Sequence, residues 1–198
     1  MNVNSRSRTQ KLALLALFTA IVAVLQLLGV AIHFGVFAVS LVGVPIIIGG
    51  ALMGPLAGAW LGFVFGVAVL ISGDAALFFA WNPAATFAIV LLKGTLAGLA
   101  AAGVYQLVAK KNNFLAVLAA AVVFPLVTTG VFFLGSMLCF MNDCVQFAAN
   151  NGFEASGPVV ILVFFIGMNF FFELGLDLVL SGVIDRLIQF GKKTLKKA

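Results

Sequence analysis

Charge is what this chain has least of. Only 9% of its 198 residues are Asp, Glu, Lys or Arg, against 64% that are hydrophobic. A soluble globular domain carries about a quarter charged residues, so that class is excluded. A chain this apolar also lacks the composition of a disordered one. Histidine occurs once and cysteine twice, which leaves no ligand set for a metal. Cys139 and Cys144 are five apart; they read as packing cysteines or chance, with a disulfide as the alternative. There is no Walker A sequence, so the chain does not itself bind ATP through a P-loop. Neither Gly-x-Ser-x-Gly nor His-Glu-x-x-His occurs. No enzymatic activity and no cofactor are therefore expected. No inverted repeat is evident, which weakens a self-sufficient secondary transporter. The first apolar run has no clear small-residue cleavage site and reads as a span, not as a signal peptide.

What is present is a series of apolar runs. A polar, basic segment (residues 1–11) leads into a first span, Leu12–Val30. Ala31–Phe37 is a short connection. The second span is Ala38–Gly54, or starts earlier at Gly35. Gly54-Pro55 makes a turn, with Pro55 suited to the first position of the next helix. Leu56–Gly73, Ala84–Ala109 and Phe114–Phe140 are spans three to five, separated by the loops Asp74–Pro83 and Lys110–Asn113. Met141–Pro158 is the longest loop. The last segment, Val159–Phe190, would extend about 48 Å as a helix, more than a hydrocarbon core of about 30 Å needs. Its amphipathic final turns, Val183–Ile188, are expected at the cytoplasmic surface, as a plain extension or as a docking surface. A tail, 191–198, follows. The expectation is one all-α membrane domain, 1–198, with six transmembrane helices.

The excess of basic residues gives an orientation. Arg6, Arg8, Lys11, Lys110, Lys111, Arg186, Lys192, Lys193, Lys196 and Lys197 all fall on one side of a six-span layout, and the eleventh base is Lys93. The opposite loops hold Asp74, Asp143 and Glu154 and no base. Basic loops stay cytoplasmic, so both termini are expected inside. The bases mark topology and do not call for nucleic acid.

A few polar residues break the apolar runs. Asn169, Glu173 and Asp177 follow one another at four-residue spacing, so on a helix they share one side, spread over roughly 80°. A carboxylate facing lipid costs on the order of 2.5–3.5 kcal/mol on insertion scales. The stripe must therefore face other helices or a hollow. Lys93 lies roughly 15 Å along its helix from Pro83, and Asn169 about 16 Å from Pro158. Lys93 and Asn169 thus share a level in the outer half. The ammonium meets either Glu173, as a structural ion pair, or a ligand carboxylate. Asp177 lies deeper, either beside these groups or near the inner interface.

Other candidates have two readings each. Thr128 and Thr129 follow Pro125 in the fifth span and either re-satisfy carbonyls freed by the proline or offer hydroxyls to a ligand. Trp81, with Phe78, Phe79 and Asn82, borders the fourth span and either anchors at the interface or stacks on a bound molecule. His33 is a solvated loop residue or a ligand contact. Ala13, Ala16, Ala20 and Ala23 line the first span at spacings that permit close helix approach, within the protein or to a partner. Gly50, Gly54, Gly58, Gly62 and Gly66 imply a tightly packed pair of spans two and three.

Together, the six short spans, the basic N-terminus, the Ala-rich first helix and the stretch IIIGGALMGPLAGAWLGFVFG resemble the substrate-binding (S) components of energy-coupling factor (ECF) transporters. The resemblance implies an S-component-like bundle in the bacterial plasma membrane. It also implies high-affinity capture of a vitamin from outside, and partnership with a transmembrane coupling subunit and two ATPase subunits. Ala16 and Ala20 would contact the coupling subunit. Lys93, Thr128, Thr129, Asn169 and Glu173 would line the pocket beneath loops 31–37, 74–83 and 141–158. VGVPIIIGGALMGP, LLKGTLAGLAAAGVY and FPLVTTGVFFLG look similar to the pantothenate type. Pantothenate is a small anion with hydroxyl and amide groups, which suits one lysine among polar side chains. With two Trp and one Tyr, a large flat aromatic vitamin fits less well. Riboflavin, folate and niacin are the alternatives within the family, and a ligand-free membrane scaffold is the alternative outside it.

Overall fold

The computed structural model describes residues 3–29, 33–34, 37–38, 41–153 and 157–197. For residues 3–8, 33–34, 37–38, 164, 168–169 and 195–197 only the backbone is described. Helix α1 covers Val3–Gly29, so the basic N-terminal segment continues the first span as helix. A two-residue hairpin follows: β1, His33–Phe34, pairs antiparallel with β2, Phe37–Ala38, with His33 opposite Ala38. Then come α2 (Gly43–Met53), α3 (Pro55–Ser72), α4 (Ala76–Trp81), α5 (Pro83–Val108), α6 (Asn113–Cys139) and α7 (Met141–Asn150). One helical turn, α8 (Pro158–Val160), runs into π-helical turns over Ile161–Ile166 and then the long α9 (Gly167–Lys197).

Among the described residues, four helices are long and apolar enough to cross a membrane: Thr9–Leu28 within α1, then α3, α5 and α6. Leu56, Ile71, Leu107, Leu138 and Val179 are among the large apolar side chains left exposed. The chain is thus a multi-pass membrane protein. The second expected span, Ala38–Gly54, is shorter than expected. Its helix has 11 residues, about 16 Å, and the chain before it is spent on the hairpin. Two expected loops contain helices instead: α4 lies within 74–83 and α7 within 141–158.

Turns are set by residues with the right backbone freedom. Gly54 has φ of 107° and Pro55 opens α3; a side chain at Gly54 would be strained there, and proline has no N–H to lose at a first turn. Gly73, left-handed at φ 87°, ends α3. Pro125 sits inside α6, which continues through it.

The glycine repeat packs more than the expected pair of spans. A Cβ at Gly50 would lie 2.6 Å from Cβ of Ala102 on α5, and one at Gly66 would lie 2.8 Å from the Val90 carbonyl oxygen. At Gly58 and Gly62 it would overlap the carbonyls of Gly98 and Gly94. The closest approach is thus α3 against α5, backbone to backbone, with α2 joining through Gly50. Small residues on both partners make this possible.

Apolar packing forms two clusters. One joins Val22, Ile46, Ile47, Leu61, Phe65, Ala97, Ala101, Tyr105, Val117, Phe124, Ile184 and Ile188. The other lies at the end that carries α4 and α7, where Ile89, Phe140, Cys144, Val160 and Ile161 meet Phe78, Trp81, Phe132 and Phe165. At the opposite end, Lys192 Nζ donates to the Tyr105 hydroxyl (3.0 Å) and to Asn113 Oδ1 (3.2 Å). These contacts fasten the end of α9 to α5 and α6.

Candidate functional site

Helix α5 starts at a sharp cap. The Asn82 side chain accepts from the Ala85 N–H at 3.1 Å, and Pro83 occupies the first turn. Asn82, expected as a ligand contact, is thereby engaged as a helix cap. Lys93 follows about three turns on. Its ammonium lies 5.4 Å from the ring centroid of Phe132 on α6, a cation over an aromatic face. Glu173 on α9 and Asp74 after α3 are both within electrostatic range of it. Lys93 and Glu173 are each half-buried, and among the described residues they make no close ion pair with each other.

An aromatic cluster adjoins this cation. Phe78 is its hub, with ring centroids 5.2 Å from Trp81, 5.2 Å from Phe132, 5.5 Å from Phe140 and 5.6 Å from Phe165, all edge-to-face. Edge-to-face pairs of this spacing add about 0.5–1.5 kcal/mol beyond area burial. Trp81 also meets Phe147 at 5.9 Å. So Trp81 is a half-buried cluster member, not a free interfacial anchor. Phe132 carries the contact to Lys93 and was not among the expected site residues. The signal was present: FF at 132–133 falls one helical turn after Thr128 and Thr129.

The polar stripe divides. Glu173 is near Lys93, whereas Asp177 is buried at 1% exposure, and neither of its carboxylate oxygens has a hydrogen-bond partner. A Cβ at Gly43 would lie 2.9 Å from Asp177 Oδ2 and 3.2 Å from the Phe124 ring. Asp177 thus rests on the first residue of α2, at the positive end of that helix. Asp177 is thus enclosed by the bundle beside the start of α2. The Asn169 backbone lies in α9 and that of His33 in β1; their side chains fall outside the described residues. Thr128 is buried and donates to the Phe124 carbonyl at 2.8 Å, the helix-internal of its two readings. Thr129 is half-buried.

Gln26 and its acceptor Asp74 were also outside the site reading. Gln26, 5% exposed on α1, donates from Nε2 to Oδ2 of Asp74. A lone amide in an otherwise apolar span was the signal for it. On the other side of α1, Ala13, Ala16 and Ala20 are exposed and Ala23 is half-buried. Cys139 and Cys144 are both free thiols, the first exposed and the second buried. Burial, followed by the neighbouring charge of Asp143, pushes the Cys144 thiol up to about 11. Among the described residues no group of His, Cys, Asp and Glu could hold a metal ion.

The arrangement offers one cation inside an apolar bundle, an acceptor carboxylate nearby and an aromatic wall. Neither the curated proteins nor the solved structures give a match. A family model for the substrate-specific component of ECF transporters matches residues 10–184, from the first turns of α1 well into α9. The chain belongs to that family, the substrate-specific subunits of ECF importers.

Proposed function

We propose that this subunit captures a small carboxylic-acid vitamin, with pantothenate as first candidate, and that Lys93 holds the acid. One observation carries this reading: the ammonium of Lys93 lies over Phe132 with Glu173 in electrostatic range, yet the two make no close ion pair. A cation within the membrane span is costly unless matched, and a ligand carboxylate supplies the match. Glu173 then accepts from a ligand hydroxyl or amide. Trp81 and Phe78 form the apolar wall. Thr129, Asn169 and His33 are candidates for the remaining polar contacts.

The basic residues favour both termini in the cytoplasm, which puts α4, α7 and the hairpin outside, in a bacterial plasma membrane. The exposed Ala13, Ala16 and Ala20 edge is suited to close packing against a transmembrane coupling subunit, itself driven by two ATPase subunits.

The test is a thermal-shift panel of pantothenate, riboflavin, folate and niacin on detergent-purified protein, with mass spectrometry of any copurifying small molecule. Pantothenate is expected to raise Tm and to be released on denaturation. A shift with riboflavin alone would move the assignment to a flat aromatic ligand. No shift with any of the four and nothing released would overturn the capture reading.

A further inference from the structure

The end of the bundle that carries Lys192 is basic, and one of its bases is fixed in place. Lys192 Nζ donates to the hydroxyl of Tyr105, a residue only 2% exposed, and to Asn113 Oδ1, and it lies 5.3 Å from the centre of the Tyr105 ring. Both acceptors are neutral. An ammonium has three N–H donors, so among the described residues one N–H and the full charge are left over. The acceptors are themselves set by the chain. Tyr105 is packed into the apolar core. Asn113 opens α6 behind its cap Asn112, which accepts from the Phe114 and Leu115 N–H groups at 2.8 and 3.2 Å. The turn between α5 and α6, closed by the Lys111 N–H on the Val108 carbonyl at 2.9 Å, carries Lys110 and Lys111, both exposed. Lys193, exposed as well, follows Lys192 on α9. The nearest acid along α9, Asp185, accepts from Gln189 Nε2 at 2.7 Å. Among the described residues no carboxylate pairs with any of these four lysines. Apolar surface begins directly beside them: Leu107 before the turn and Phe114 and Leu115 after it are exposed.

A lysine that serves only to orient a chain in the membrane needs no fixed position. Lys192 has one, over a ring and between two acceptors, with three exposed lysines close to it in the chain or on the adjoining turn. We propose that this end of the bundle binds the headgroup of an anionic phospholipid, with Lys192 as its preset centre. The phosphate diester takes the remaining N–H of Lys192. Lys110, Lys111 and Lys193 close round the same anion, and the acyl chains run along Leu107, Phe114 and Leu115. Charge decides the kind of lipid. A zwitterionic headgroup brings its own cation, which four unpaired lysines repel; an anionic one brings none. An ammonium already held in position loses little freedom on binding, which sets this site apart from a loose basic tail. The bound lipid joins the α5–α6 turn to the end of α9 and so stabilises the fold there. This inference does not rest on the function proposed above.

The test uses the full chain in detergent, titrated separately with dioctanoyl phosphatidylglycerol, dioctanoyl phosphatidylcholine and inorganic phosphate, and read by Tm and native mass spectrometry. Phosphatidylglycerol is expected to raise Tm by about 2 °C or more and to stay bound under conditions that strip phosphatidylcholine. Added salt is expected to weaken it. A base beside an anionic lipid surface contributes about fivefold to binding. The variant Lys110→Gln/Lys111→Gln/Lys193→Gln, which keeps the Lys192 contacts, is therefore expected to bind phosphatidylglycerol about tenfold more weakly or worse. Lys192→Met is expected to lose more than a substitution at any other single lysine of the four. Should Lys192→Met fail to fold, the triple variant decides. Equal retention of the two lipids overturns the proposal, as does full phosphatidylglycerol binding by the triple variant. An equal rise in Tm with inorganic phosphate would make this a site for free phosphate and also overturns it.

Discussion

The ammonium of Lys93 stands 5.4 Å from the centre of the Phe132 ring, a cation and an aromatic face from neighbouring helices inside an apolar bundle. A charge-assisted contact in such a place is worth about 1.5–3 kcal/mol. Lys93→Met is therefore expected to weaken pantothenate binding by about 10- to 100-fold while the protein stays folded. Phe132→Leu keeps the cation and loses its aromatic partner, so a smaller loss is expected. Titration calorimetry on both variants checks the order; full affinity in Lys93→Met would remove the cation from the site.

The glycines of α3 and α5 are not equivalent to those elsewhere. At Gly62 an added methyl would overlap a backbone carbonyl, whereas at Gly103 nothing lies within 4 Å. Gly62→Ala is expected to destabilise by about 1–3 kcal/mol. Gly103→Ala, in the same bundle, is expected to stabilise by about 0.5–1 kcal/mol through reduced backbone entropy. Thermal unfolding in detergent should give shifts of opposite sign.

Asp177 sets two effects against each other. A buried carboxylate without hydrogen bonds costs several kcal/mol of desolvation if charged, while the start of α2 returns at most about 2 kcal/mol. The cost wins. Asp177→Asn, of the same shape, is expected to be at least as stable as wild type in thermal unfolding at neutral pH. A loss above about 1 kcal/mol would mean the negative charge is needed there.

The two thiols should differ in reactivity. Cys139 is exposed, whereas Cys144 is buried with its thiol held far from the reactive thiolate at neutral pH. Maleimide treatment of native protein at pH 7 should add one label, at Cys139, and a second only after denaturation. Peptide mass mapping reads this directly.

The alanine edge of α1 gives a prediction about partners. Ala16→Trp with Ala20→Trp is expected to leave folding and pantothenate affinity unchanged and to abolish co-purification with a coupling subunit, since bulky rings prevent close helix approach. Intact co-purification would place that interface elsewhere.

Legibility in the sequence followed the physics of each signal. Spans one, three, four and five were readable because long apolar runs admit few alternatives. Spans three to five end within a residue of α3, α5 and α6, whereas α1 begins nine residues before the expected Leu12. The second was misjudged because a short apolar run such as residues 37–42 looks alike as strand or helix. The amphipathic α7 hid in a stretch read as loop on polarity alone. The four-residue glycine spacing announced close packing correctly. It was read as pairing spans two and three, whereas the closest backbone approach is α3 against α5, where Gly94, Gly98 and Ala102 repeat the spacing. Lys93, Glu173 and Asp177 stood out as charges in apolar surroundings. What the spacing could not reveal is that Asp177 is turned toward α2, because that depends on where another helix begins. Asn82 Oδ1 and the Thr128 hydroxyl each have a local partner, a cap N–H and a helix carbonyl, which residue type alone does not announce.

Where α3 and α5 touch through Gly58, Gly62, Gly94 and Gly98, no layer of side chains separates the two backbones. Side chains can act as bearings, yielding by changes of rotamer; main chain against main chain cannot slip without a clash. These two helices form a keel. Any opening that admits a molecule has to be made by the parts hung on it, the short helices α4 and α7 and the tethered rim helix α1, while the keel keeps its shape.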